Sequence, residues 1–219
     1  IYIYAPKYYA DTYGVSLTAL GAILFGLRLF DVVQDPVLGW ISERLTKGKA
    51  AIISAVSLLL ALSMIGLFAV PPPINPAIWF AITITGLFSA FSFLTINFYA
   101  QGVMKAGPAG QVRLAAWRET GALLGVCIAA VAPTVLIDLS DDPFGVFAYG
   151  FAAATLAATL FMWPEWTGRS SAEPAHIREI IADPSTRRLL ILALVNATPL
   201  AVSSTLFLFF VEARLEATG

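Results

Sequence analysis

The sequence predicts an all-α membrane protein that crosses the bilayer several times. Three observations carry this reading. Of 219 residues, 58% are hydrophobic and only 12% charged, with mean hydropathy +0.81, whereas a soluble domain carries roughly 25% charged residues. So much apolar surface has no place on a water-facing exterior. Long apolar runs recur, each near the ~20 residues that a spanning helix needs. Lys and Arg gather in alternate connections, the asymmetry that orients helices in a membrane.

The elements follow in order. Ile1 to Tyr9 reads as the end of a first helix, whose earlier part is expected to be missing. The chain opens in an apolar stretch with no charged n-region or cleavage site, so this is not a signal peptide, and truncation is the reading at Gly219 too. Val15 to Ile41 is the second helix, Ala50 to Val70 the third and Ala77 to Tyr99 the fourth. Val112 to Ile137 is the fifth, its first turn outside the hydrocarbon. Phe144 to Trp163 is the sixth and Leu189 to Val211 the seventh. Turn chemistry marks the breaks: Pro71-Pro72-Pro73 with Asn75-Pro76, Gly107-Pro108 with Gly110, and Asp141-Asp142-Pro143.

One set of connections holds Arg44, Lys47 and Lys49, then Lys105, Arg113 and Arg118, then Arg169, Arg178, Arg187 and Arg188. The opposite set holds only Lys7 and Arg214, and Arg28 lies inside a helix. The loops after helices two, four and six are therefore expected to face the cytoplasm. Trp40, Trp79 and Trp163 lie near helix ends, as an interfacial aromatic belt requires. The polar stretch Pro164 to Arg188 joins six helices to a seventh, the long connection expected between two helix bundles. The expected organisation is a transmembrane bundle over residues 1–163, a cytoplasmic linker over 164–188, and the first helix of a second bundle over 189–219.

Composition and patterning exclude several functions. A net charge of −1 offers no basic surface for nucleic acid. Cys127 is the only cysteine and reads as a small packing residue, which leaves no internal disulfide and no CxxC site. His176, the only histidine, falls in the linker and reads as ordinary surface. Enzyme chemistry would need a nucleophile with a base, or a metal cluster, and neither arrangement is present in the pattern.

The informative segment is Gly26 to Pro36. It places Arg28, Asp31 and Asp35 inside the second helix. Each charge at a helix centre costs ~2.5–3.5 kcal/mol on insertion scales. A helix keeps such residues where they face protein or a water-filled cavity. At ~100° per residue the three fall within an arc of ~60°. The carboxylates are four residues apart, with Cβ atoms ~5–6 Å from each other. Arg28 offsets one negative charge. The leftover charge suits one monovalent cation, either H⁺ on a carboxylate or Na⁺ held by Asp31, Asp35 and the Gln34 amide oxygen. The alternative is an inert buried salt bridge, a weak source of stability that leaves one carboxylate unexplained.

Helix four carries a second polar stripe. Thr85, Ser89, Ser92 and Tyr99 recur at helical spacing, with Thr95, Asn97 and Gln101 nearby. Ser89, Ser92, Asn97, Tyr99 and Gln101 are candidates to line a solute cavity, and Thr85, Ser89 and Ser92 are expected to face the same central cavity as Asp31. Helix packing is the competing reading, since Ser and Thr commonly pack membrane helices. Gly121 and Gly125 form a GxxxG expected to pack closely on a neighbour. Trp117-Arg118-Glu119 opens helix five. Arg118 and Glu119 are read either as an interfacial anchor with a local ion pair or as an inner gate.

At these residues the chain resembles the glycoside–pentoside–hexuronide:cation symporters, the melibiose-permease-like branch of the major facilitator superfamily. Tyr8-Tyr9-Ala10-Asp11 with Gly14-Val15-Ser16 resembles that family's end of helix one and outer loop. Arg28 through Trp40 matches its R-x-x-D-x-x-[NQ]-D-P-x-x-G signature, and Arg113 through Glu119 resembles its start of helix five. The resemblance runs from Tyr8 to Pro133. It implies a major facilitator-type fold: twelve helices in two six-helix bundles with alternating access. It also implies that Asp31 and Asp35 bind the coupling cation. A family Asn appears here as Gln34. The loop Ser42 to Lys49 is shorter and less basic than the family's, and Gln101 stands where a sugar-binding acid is expected.

The expectation is a cation-coupled (H⁺ or Na⁺) secondary transporter of a small polar solute, such as a sugar or glycoside, working by alternating access. It would sit as a multi-pass protein in the cell (inner) membrane. Its partners would be the solute, the lipid bilayer and the rest of a second bundle, with no cofactor beyond the coupling ion. The alternative is a non-transporting scaffold or receptor-like protein of the same fold, which has no use for a charged triad in mid-membrane.

Overall fold

A computed structural model describes residues 4–45, 48–166, 182–196 and 198–199. They fall in two units, one within residues 1–171 and one within 172–219. Among the described residues there is no strand. In the first unit α1 (Tyr4–Tyr13) is followed by α2 (Leu17–Arg44) and α3 (Lys49–Phe68). Then come α4 (Pro76–Gly107), α5 (Ala109–Ile137) and α6 (Pro143–Met162), with a 3₁₀ turn over Trp163–Trp166. The helices α2 to α6 are long and apolar enough to cross a membrane, the last counted through the 3₁₀ turn.

The ends differ from the sequence expectation for identifiable reasons. α1 runs past Tyr9 to Tyr13. Lys7 and Asp11 pair one turn apart at 3.1 Å, and Gly14 closes the helix at φ 66° with its N–H on the Ala10 carbonyl. Ser16 caps α2 by accepting from the Ala19 N–H. Asn75 and Asp142 cap α4 and α6, each followed by a proline in the first turn. The fourth and fifth helices are not separated by a loop from Tyr99 to Val112. Gly107 alone, at φ 59° and ψ 178°, reverses the path between two continuous helices. Only glycine rests easily in that backbone region, and Pro108, just before α5, has no N–H to leave unpaired at the helix start.

Between helices in lipid there is little hydrophobic drive, so close packing and hydrogen bonds decide association. α3 is the most enclosed span. Met64, Leu67 and Phe68 of α3 join Phe80, Ile84 and Leu87 of α4, Tyr9 of α1 and Ala148 of α6 in one core. α3 and α4 approach so closely at Gly86 that an added Cβ there would lie 2.7 Å from the Ser63 hydroxyl. The Trp79 indole N–H donates to the Gly66 carbonyl at 2.7 Å. α5 rests on α4 through Leu114 against Gly102 and meets α1 where the Tyr4 hydroxyl donates to the Ala130 carbonyl. The GxxxG of α5 does not pack as expected. Gly121 and Gly125 face open space, because α5 touches its neighbours near its two ends.

In the second unit, residues 184–196 are helical. This helix starts before the expected Leu189, because Asp183 caps it by accepting the Thr186 N–H at 2.8 Å and Pro184 takes the first position. Residues 167–181, with His176, and 197 and 200–211 of the expected seventh helix lie outside the described residues.

Candidate functional site

α2 and α4 are joined by a ladder of side-chain hydrogen bonds. The Ser89 hydroxyl donates to Gln34 Oε1 at 3.0 Å, and the Ser92 hydroxyl to Asp35 Oδ1 at 2.5 Å. The Ser42 hydroxyl donates to Asn97 Oδ1 at 2.7 Å. Numbers rise together on both sides, so the two helices run parallel. The contact at Asp35 has the short length expected when a hydroxyl donates to a carboxylate.

Asp31 lies one turn before Asp35. Its Oδ2 is 3.6 Å from Arg28 Nη1, and its side chain is 18% exposed against 62% for Arg28. The guanidinium thus reaches outward while the carboxylate stays against the bundle. Pro36 follows Asp35 inside the helix and leaves the Val32 carbonyl without its helical donor. Asp31 and Asp35 thus lie one turn apart on α2, Asp31 beside Arg28 and Asp35 beside Ser92 of α4.

The expected solute-cavity residues separate into two places. Ser89 and Ser92 sit on the α2 seam with Gln34 and Asp35. Asn97 is fully buried, and its amide donates to the Phe93 carbonyl while accepting from Ser42. It therefore locks the helices together and lines no open wall. Thr85 flanks a shallow depression with Ile23 and Ile78.

Tyr99 and Gln101 lie further along α4, ~10–13 Å beyond Ser92 at 1.5 Å per residue. They border a cavity of about 440 Å³ between the ends of α4, α5 and α6, whose lining also includes Lys105, Gln111, Arg118 and Glu165. Arg118 lies over the Tyr99 ring at 4.1 Å from its centroid, close enough for a cation–π contact. The same guanidinium donates to Glu119 through Nε at 3.1 Å and Nη2 at 2.9 Å. The expected gating pair is thus a local ion pair standing on an aromatic ring.

Sequence reasoning missed Lys105 and Glu165. They form an ion pair, and Gln101 Nε2 donates to the Glu165 carbonyl at 2.7 Å. Their separation of 60 residues left no pattern to find. Ser42 was also missed as the partner of Asn97, although it falls near the stripe that carries Asp31 and Asp35. Among the described residues no group of three or more His, Cys, Asp or Glu side chains is placed to hold a metal ion.

Bilayer-length helices, with ionisable side chains lodged within α2, define a polytopic membrane protein. Over residues 1–219 the chain matches the family model described as MFS/sugar transport protein. It belongs to that family, within the major facilitator superfamily, and is a multi-pass integral membrane protein and secondary transporter. No solved structure matches it.

Proposed function

We propose that the protein is a cation-coupled secondary transporter of a small polar solute, with the coupling ion, H⁺ or Na⁺, bound at Asp31 and Asp35. One observation carries this reading. Two carboxylates lie one turn apart in a spanning helix, with the Arg28 guanidinium beside Asp31 and the Ser92 hydroxyl on Asp35. Intramembrane ionisable residues are costly and mark ion or proton pathways. The residue content of the cavity at Tyr99, Gln101 and Arg118 supports a polar solute, since an aromatic face and amide and guanidinium donors suit a hydroxyl-rich ring such as a sugar. In this reading the bundle of residues 1–163 is joined by the connection after it to a second bundle, whose first helix begins at Pro184, for alternating access, with the loops after α2, α4 and α6 at the cytoplasm.

The test is uptake into vesicles by the full-length transporter, with Na⁺ and pH gradients imposed separately. Asp31→Asn and Asp35→Asn each remove the leftover charge while keeping the shape. Accumulation against a gradient should collapse in both, while downhill exchange survives. Uptake that concentrates solute as well as the parent would make the carboxylates structural. Failure of the parent to move any solute under either gradient would favour a scaffold or receptor.

A further inference from the structure

We infer that Lys105 and Glu165 form a latch that holds the cavity between α4, α5 and α6 narrow, and that release of Glu165 opens it. The cavity has two unlike walls. On the α5 side the wall is fixed: Leu114 packs on Gly102, and Gln111 Nε2 donates to the Val103 carbonyl at 3.0 Å. On the α6 side the lining among the described residues comes from Met162 and Glu165. Glu165 is held to α4 twice, by the Lys105 ammonium on its carboxylate and by the Gln101 amide on its carbonyl.

The next residue anchors the turn. Trp166 is buried against Ala50 and Ile53 of α3 and Phe93 of α4, with Lys49 Nζ 5.6 Å from its ring centroid. The turn therefore stays seated while the link at Glu165 breaks and reforms. The energetics suit that role. The Lys105 and Glu165 side chains are 54% and 42% exposed, and exposed pairs are weak and screened by salt. Such a pair closes a wall without locking it. The latch acts whatever solute or ion the protein carries.

The experiment reads cavity access directly. Ala115→Cys, on the cavity wall, is introduced into a Cys127→Ser background in detergent micelles. Labelling by a hydrophilic maleimide is timed with thermal unfolding checked in each variant. Lys105→Ala and Glu165→Gln should each speed labelling by about two- to five-fold, the range an exposed ion pair supports. The charge swap Lys105→Glu with Glu165→Lys should return the rate to the parent's. Raising salt to ~1 M should speed labelling in the parent and leave Glu165→Gln unchanged, because only the ion pair is screened. Single variants that label at the parental rate, or a swap as fast as either single, would overturn the latch. Salt acceleration that persists in Glu165→Gln would do the same.

Discussion

The Ser92 hydroxyl meets Asp35 Oδ1 at 2.5 Å, and this bond ties the charged turn of α2 to α4. Ser92→Ala removes a donor to a carboxylate, an interaction worth ~1.5 kcal/mol or more. In the proposed symporter the apparent affinity for the coupling ion should change by about tenfold, the factor that ~1.4 kcal/mol gives. Ser92→Thr keeps the hydroxyl and should behave like the parent. Ion-dependence curves of uptake decide it, and equal curves for Ser92→Ala and the parent would detach Ser92 from the ion site.

Ser42 and Asn97 should be coupled in stability. Ser42→Ala leaves Asn97 Oδ1 without its donor inside the bundle. Side-chain hydrogen bonds between membrane helices average ~0.6 kcal/mol and reach ~1.7. A double-mutant cycle with Asn97→Ala, followed by unfolding in detergent, should return a coupling within that range. Additive single effects would show that the contact contributes nothing.

Gly107 should tolerate no side chain. Its φ of 59° with ψ of 178° lies where a Cβ costs ~1–3 kcal/mol, so Gly107→Ala should lower the unfolding midpoint. Gly121 sits in a regular helix with nothing within 4 Å of an added Cβ. Gly121→Ala should be neutral or stabilising by up to ~1 kcal/mol. Equal midpoints for the two variants would place the turn elsewhere.

Asp183 should titrate low. The Thr186 hydroxyl, and after it the Thr186 N–H, donate to its carboxylate and hold it below the usual carboxylate range. A depressed folded value means that the cap's stabilisation is full above the unfolded carboxylate's pKa, ~3.9. It is lost as pH falls through the depressed value. NMR titration of the Asp183 carboxyl measures this, and Thr186→Val should move the titration upward. A titration that ignores the substitution would rule out the hydroxyl as the main cause.

Much of the fold was legible in the chain because its causes are local. A spanning helix must satisfy its own backbone bonds and be apolar throughout, so α2 to α6 appear as runs of hydropathy. Their caps are written in single residues: Ser16, Asn75 and Asp142. The cost of Arg28, Asp31 and Asp35 within one helix is a property of that helix, and so is their shared stripe. Other features were read differently. The α4–α5 turn reads in the chain as a broad loop, because glycine and proline announce a break without saying that one residue makes it. The GxxxG of α5 was assigned a packing role that the structure gives to Gly86 and Gly102 instead. A small-residue pattern shows what could approach closely, and only the placement of a second helix shows what does.

The sequence by itself determined the class, five of the spans and the presence of two carboxylates one turn apart in a membrane helix. The tertiary structure decided which residues meet. It set Ser89 on Gln34, Ser92 on Asp35 and Asn97 on Ser42, each 55 or more positions apart. It also moved Tyr99 and Gln101 away from the charged seam to a cavity with Arg118, Lys105 and Glu165. The reason is physical. Hydropathy and helical phase are read along one chain, within the three or four residues of a turn. A hydrogen bond between helices depends on their relative rotation and depth, which packing at contacts such as Gly86 on Ser63 establishes only when the helices come together.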